Sequence, residues 1–148
     1  MNIQSIIKEL NAFRITAKDE DEALERIREL TYLINKNKEG YLACEALINV
    51  LERHPAADFG GPGDIVHLLE NYPGKYESFL YESLERSPAP YTLMLYNRII
   101  NAMRKSKKKQ EFIDRYKIMA KHPKADKPTR QAALEYYQYQ TGSVNAKK

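Results

Sequence analysis

Asp64, His67 and Glu70 stand at i, i+3 and i+6, a spacing that on one short helix offers two or three ligands to a divalent metal. A carboxylate-bridged centre also needs a Glu-x-x-His from a second helix, and the sequence has none. Cys44 is the single thiol, and its neighbours Leu42, Ala43 and Ala46 fit a small buried hydrophobe better than a nucleophile. Gly60-Gly61-Pro62-Gly63 precedes a helix, where phosphate-cradling loops sit. It lacks the Gly-Lys-Ser/Thr ending of such loops, and Asp64 behind it repels an anion, so it reads as a hinge. His54 and His122 lie at helix ends, where a ring can satisfy terminal carbonyls. The Gly-x-Ser-x-Gly elbow of many hydrolases is absent. These residues predict a protein that is not an enzyme and needs neither metal nor cofactor.

What remains is binding chemistry, and the charge layout directs it. The 148 residues carry 24 Lys and Arg against 20 Asp and Glu, a net of +4. Residues 1–85 hold nine basic and sixteen acidic side chains, a net of −7, while residues 86–148 hold fifteen and four, a net of +11. Such asymmetry points to a partner or a field rather than to a fold. In the acidic part, Asp58, Asp64, Glu70, Glu77, Glu82 and Glu85 interleave with Tyr72, Tyr76 and Tyr81. Tyrosine beside carboxylates supplies a rigid amphipathic anchor plus charge that steers a basic protein. The binding candidates there are Asp58, Asp64, Glu70, Tyr72, Glu77, Tyr81, Glu82 and Glu85. In the basic part, Arg98, Arg104, Lys105, Lys107, Lys108, Lys109 and Arg115 are the alternative candidates, for nucleic-acid phosphates.

Helices must position both sets. Apolar residues recur at helical spacing in Ile3, Ile6, Ile7, Leu10 and Phe13, and again in Ala23, Leu24, Ile27, Leu30 and Ile34. The run Asp19-Glu20-Asp21-Glu22 suits the positive end of the second helix dipole. Beyond Gly40, a third helix carries Leu42, Ala46, Leu47, Val50 and Leu51, and His54-Pro55 ends it. Asp64 opens a short helix that Pro73-Gly74 breaks, and Tyr76, Phe79, Leu80, Ser83 and Leu84 mark the next. Ser87-Pro88 reads as a cap and first-turn proline for a helix through Met103. Lys105 to Lys109 read as a turn, followed by helices over Phe112–Ala120 and Ala132–Tyr137; the chain from Gly142 on reads as a frayed tail. No alternating run supports a sheet, so the class is all-α with about eight helices.

Arg53-His54-Pro55, Arg86-Ser87-Pro88 and Lys121-His122-Pro123 recur at 33 and 35 residues. The period predicts one domain of helical hairpins near 17–54, 55–87 and 88–122, capped by helices near 2–14 and 127–140. Such hairpins stack either as a HEAT-like α-solenoid or as an irregular α-bundle. No apolar run approaches the ~18 residues of a membrane span, and Met1-Asn2-Ile3-Gln4 does not open like a secretory signal. A soluble, cytoplasmic chain is the expectation.

The stretch from Asp58 through Glu70, and the run from Tyr76 to Asn101 with Leu80, Ser83, Leu84, Arg86, Pro88, Thr92, Met94, Leu95, Arg98 and Ile99, resemble small all-helical immunity proteins of bacterial polymorphic and contact-dependent toxin systems. The resemblance covers about residues 55–101. It implies a non-catalytic inhibitor that binds one cognate toxin domain, often a nuclease, and blocks it inside the producing cell. It brings no catalytic residues. Immunity proteins against basic nucleases are commonly acidic, whereas this chain has a pI of about 9.0. The resemblance therefore implies that the acidic part faces the toxin, or that the toxin is not strongly basic. A nucleic-acid-binding or adaptor solenoid is the alternative function.

Overall fold

The computed structural model describes residues 1–142. Eight α-helices are present: α1 Ile3–Ala12, α2 Glu20–Asn35, α3 Cys44–Arg53, α4 Asp64–Glu70, α5 Glu77–Arg86, α6 Pro90–Asn101, α7 Lys107–Met119 and α8 Lys127–Thr141. A 3-10 turn, Gly40–Ala43, leads into α3, and no strand occurs among the described residues. None of these helices is long and apolar enough to cross a membrane. Gly142 caps α8 in the left-handed region, and the rest of the expected tail, residues 143–148, lies outside the described residues.

Short polar side chains start several helices as their chemistry requires. Asn2, Ser106 and Asp126 accept the backbone N–H groups of Ser5, Lys109 and Thr129 at 2.8, 3.1 and 2.9 Å. Glu20, Asp21 and Glu22 fill the first turn of α2. Other boundaries differ from expectation. Ser87-Pro88 does not open α6; Ser87 is extended beyond α5, and Pro90 is the first residue of α6. The start is fixed by Thr92, whose hydroxyl accepts the Ala89 N–H and donates to the Ala89 carbonyl, both at 3.0 Å. Lys107, Lys108 and Lys109 are not turn residues but the first turn of α7, because Ser106 takes the cap. Leu42 sits in the 3-10 turn and is exposed, so it does not join the stripe of α3.

Packing follows the composition of α3. Cys44, Ala46, Leu47, Ile48, Val50 and Leu51 are all buried, so this helix is apolar on most of its circumference. A helix of that kind needs neighbours on several sides. It receives α1, α4, α5 and α6, while α2 packs on α4 and the 3-10 turn, and α8 on α6 and α7. The result is an all-α bundle in which α1 and α3, α3 and α5, α2 and α4, and α6 and α8 pack against each other two places apart in the chain. The glycine loop before α4 is held by side-chain contacts. The Tyr91 hydroxyl donates to the Gly60 carbonyl at 2.6 Å, Phe59 stands edge-on to the Tyr91 ring at 5.3 Å, and the Asp58 carboxylate accepts the Gly60 N–H at 3.0 Å. Gly63 holds φ at 94°, where a Cβ would run into the Phe59 carbonyl, so the turn closes only around glycine.

One aromatic column joins the last four helices. Tyr96 of α6 stacks on Phe112 at 5.5 Å and meets Tyr81 and Tyr116 edge-on at 6.4 and 5.2 Å; Tyr116 in turn stacks on Tyr136 at 5.6 Å. The buried hydroxyls find acceptors: Tyr96 donates to the Phe112 carbonyl at 2.6 Å and Tyr116 to the Leu93 carbonyl at 3.3 Å. Truncating Tyr96 to Ala is expected to cost about 3–5 kcal/mol of unfolding free energy in urea, whereas Tyr96→Phe costs about 1–2 kcal/mol. Equal losses for the two variants would remove ring packing as the dominant contribution. Burial also raises the phenol of Tyr76 from 10.0 to about 12. A raised phenol stabilises the fold fully below the unfolded value, so this contribution persists to about pH 10 and is lost as pH rises toward 12. Phenolate absorbance and helix content followed together through that window should show ionisation accompanying unfolding.

Candidate functional site

Residues able to do chemistry are placed apart. Six residues turn an α-helix through 600°, which leaves Glu70 about 120° round α4 from Asp64. Asp64 lies 3.5 Å from Arg28 of α2, and Glu70 grips Arg98 of α6 with bonds of 2.7 and 2.9 Å. His67 reaches only Glu70, at 3.8 Å. Among the described residues no group of three or more His, Cys, Asp or Glu converges to hold a metal ion. Cys44 is buried in the core, and burial pushes its thiol from 9.0 up to about 11. Arg53 donates to the carbonyls of Leu10 and Phe13 at the end of α1, at 2.8 and 3.2 Å.

The acidic candidates divide by what they touch. Asp58 serves the glycine loop, and Glu77 accepts the N–H of Gly74 at 2.9 Å and of Tyr76 at 3.3 Å, closing the turn before α5. Tyr72 is half-buried against Gly40. Glu70 and Arg98, one from each candidate set, neutralise each other. Only Glu82 and Glu85 remain exposed on α5 with no ion-pair partner among the described residues. On the basic side Arg104, Lys105, Lys107 and Lys108 are exposed, Lys109 is half-buried, and Arg115 is exposed on α7.

The two candidate sets meet in a groove of about 340 Å³ between α5 and α7, where Tyr81 and Glu85 face Arg115. Leu84, Tyr96 and Met119 make its apolar lining, and Ile118 stands at its rim with 70% of its surface exposed. Its shape has a local cause. Tyr81 is held edge-on to Phe112 at 5.7 Å, so α5 cannot close on α7 beyond that ring. Lys108 and Arg115, two turns apart on α7, both lie over the face of Phe112, at 5.9 and 5.3 Å, and give this wall a cationic edge. At the far end His122 bonds the Glu85 carbonyl through Nε2 at 2.7 Å and accepts the Lys124 N–H on Nδ1 at 3.1 Å. Those two bonds fit the neutral ring carrying its proton on Nε2. The histidine thus caps the last turn of α5 from the α7–α8 connection.

The sequence offered one sign of this groove that went unused. Ile118 falls off the apolar stripe of Phe112, Ile113, Tyr116, Met119 and Ala120, and an aliphatic residue off the stripe faces solvent or a partner. No protein-family model, no curated protein and no solved structure matches this chain.

The thiol offers a direct check on the non-catalytic reading. With its pKa near 11 instead of 9.0, Cys44 holds about 100-fold less thiolate at neutral pH than the unfolded chain. Native protein should therefore react with a disulfide reagent at least about 100-fold more slowly than protein in denaturant. Rapid labelling of the native state would identify an exposed, activated thiol and reopen nucleophilic chemistry.

Proposed function

We propose that this protein is a toxin-neutralising inhibitor of the immunity type, binding one cognate toxin domain one-to-one inside the cell and blocking it through the α5–α7 groove. The observation that carries this reading is the groove itself: an apolar lining open to solvent, with an exposed Ile118 and charges of both signs on its walls. Burying an aliphatic side chain of this kind contributes about 1.5–3 kcal/mol to association. Glu82 and Glu85, exposed and in no ion pair among the described residues, can steer a basic surface toward it. The internal commitments of Asp58, Glu70 and Glu77 shift the expected contact from the whole acidic half to α5. The side chains most suited to catalysis are held in core packing, ion pairs or caps, which favours binding over chemistry. The toxin class that fits, by resemblance, is a nuclease.

The toxin domain encoded beside this protein is the partner to measure by titration calorimetry. Ile118→Asp should weaken binding about 10- to 100-fold without unfolding the chain, since the residue is 70% exposed. Glu82→Lys with Glu85→Lys should act mainly on the association rate and should lose its effect at high salt. A neighbouring domain that is toxic but neither binds nor is neutralised would end this reading.

A further inference from the structure

Among the described residues, ion pairing stops at Arg98. Every ion pair among the described residues joins side chains between Glu9 and Arg98. Residues 104–142 carry eleven Lys and Arg against four Asp and Glu. Three of the four acids are engaged elsewhere: Asp114 with the Gln110 amide, Asp126 with the Thr129 N–H and Glu135 with the Gln131 amide, at 2.9, 2.9 and 3.2 Å. Among the described residues, the surplus on α7 and α8 therefore forms no ion pair.

Its placement also opposes local stability. The N-terminal end of a helix carries partial positive charge, so acids belong in the first turn. Helix α2 follows that rule with Glu20, Asp21 and Glu22, whereas α7 begins with Lys107, Lys108 and Lys109. Three cations kept where the helix disfavours them, with Arg104 and Lys105 just before, call for a compensating anion. An exposed aromatic ring stands on α8, in a groove lined by Asn97, Ala132, Glu135 and Tyr136. Gln140 donates to Asn101 at 2.8 Å, which brings the last turn of α8 to the end of α6, three residues before Arg104. Tyr139 in that turn is 53% exposed.

We propose that Arg104, Lys105, Lys107, Lys108 and Tyr139 form a docking surface for single-stranded nucleic acid, with the cations on the phosphates and the tyrosine ring stacked on a base. A single strand answers both, because every base has a stacking face and every linkage a charge. Recognition of this kind is independent of base sequence. Lys108 also edges the α5–α7 groove, but Arg104, Lys105, Lys107 and Tyr139 lie outside its lining, so Ile118→Asp separates loss of toxin binding from loss of nucleic-acid binding.

The test is fluorescence anisotropy with a labelled mixed-sequence single-stranded RNA of about 12 nucleotides, at about 50 and 200 mM salt. Binding should weaken steeply between the two salts. The triple variant Lys105→Gln, Lys107→Gln, Lys108→Gln should bind about tenfold or more weakly at low salt, with the slope of log K against log salt reduced by about 2. Its melting temperature should stay level or rise, because cations have left a helix start. Tyr139→Ala should cost about fivefold or more. Absence of binding at the lower salt, or a triple variant as tight as the parent, overturns the proposal. So does retention on phosphatidylserine vesicles without RNA binding, or preference for duplex with Tyr139→Ala silent.

Discussion

The contact of Tyr96 with Phe112, Tyr81 and Tyr116 fixes more of this molecule than any other. It brings rings from α5, α6 and α7 to one place, and Tyr116 passes the arrangement on to α8 through Tyr136. Aromatic rings bury large areas with few rotatable bonds, so they set the distances between helices rather than merely filling gaps. The hydroxyls add a second condition. Each must end on an acceptor once it leaves water, and the carbonyls of Phe112 and Leu93 are that acceptor for Tyr96 and Tyr116. Ring position and helix register are thereby coupled. The groove is a consequence, since the edge-on ring of Tyr81 holds α5 away from α7 and leaves Ile118 without a neighbour to cover it.

A different constraint governs the first half. Helix α3 is apolar on most sides, so its surroundings are set by the need to enclose it rather than by any matched pair of stripes. Polar side chains then fasten the enclosing elements at their ends. Glu52 of α3 accepts from Ser83 and Arg86 of α5 at 2.7 Å, and Arg26 of α2 binds Glu9 of α1 at 2.6 and 2.8 Å. These partly exposed contacts contribute modestly to stability; their effect is on register.

Helix existence was legible in the sequence because periodicity reports one face at a time. The stripes of Ile3–Leu10, Ala23–Ile34 and Tyr76–Leu84 are the faces that pack. Which helix meets which was not legible. The proline junctions mark where helices stop, and a stop says nothing about the neighbour across the core. Boundaries failed where two capping chemistries competed: Ser87-Pro88 looks like a helix start, yet Thr92 gives Ala89-Pro90 the better one by bonding both backbone groups of Ala89. The site was legible by halves. Tyr81, Glu85 and Arg115 stand out by type, but their meeting depends on α5 lying beside α7, a long-range fact. Glu70 and Arg98 show the converse, since two residues chosen for opposite partners turn out to be each other's partner.

The overall charge of +4 then has a structural meaning that neither its size nor its sign conveys. Acids in the first part are largely spent on folding, in pairs such as Arg26–Glu9, Arg86–Glu52 and Arg98–Glu70 and in turns closed by Asp58 and Glu77. Among the described residues, cations beyond Arg98 form no ion pair, and their internal contacts are with rings and a carbonyl: Lys108 and Arg115 over Phe112, Lys117 over Tyr137 and Arg130 on the His122 carbonyl. Two of the pairs, those of Arg86 and Arg98, carry basic residues of the second part onto acids of the first, so the halves are stitched by the very charges that seem to divide them. After that stitching, the charge left outside ion pairs near the groove includes Glu82 and Glu85 on α5 and the cations of α7. Of these, Glu85 and Arg115 border the α5–α7 groove from opposite sides. A surface of mixed sign around an apolar lining discriminates among partners by orientation as well as by charge, because a docked segment entered in reverse would set like charges together.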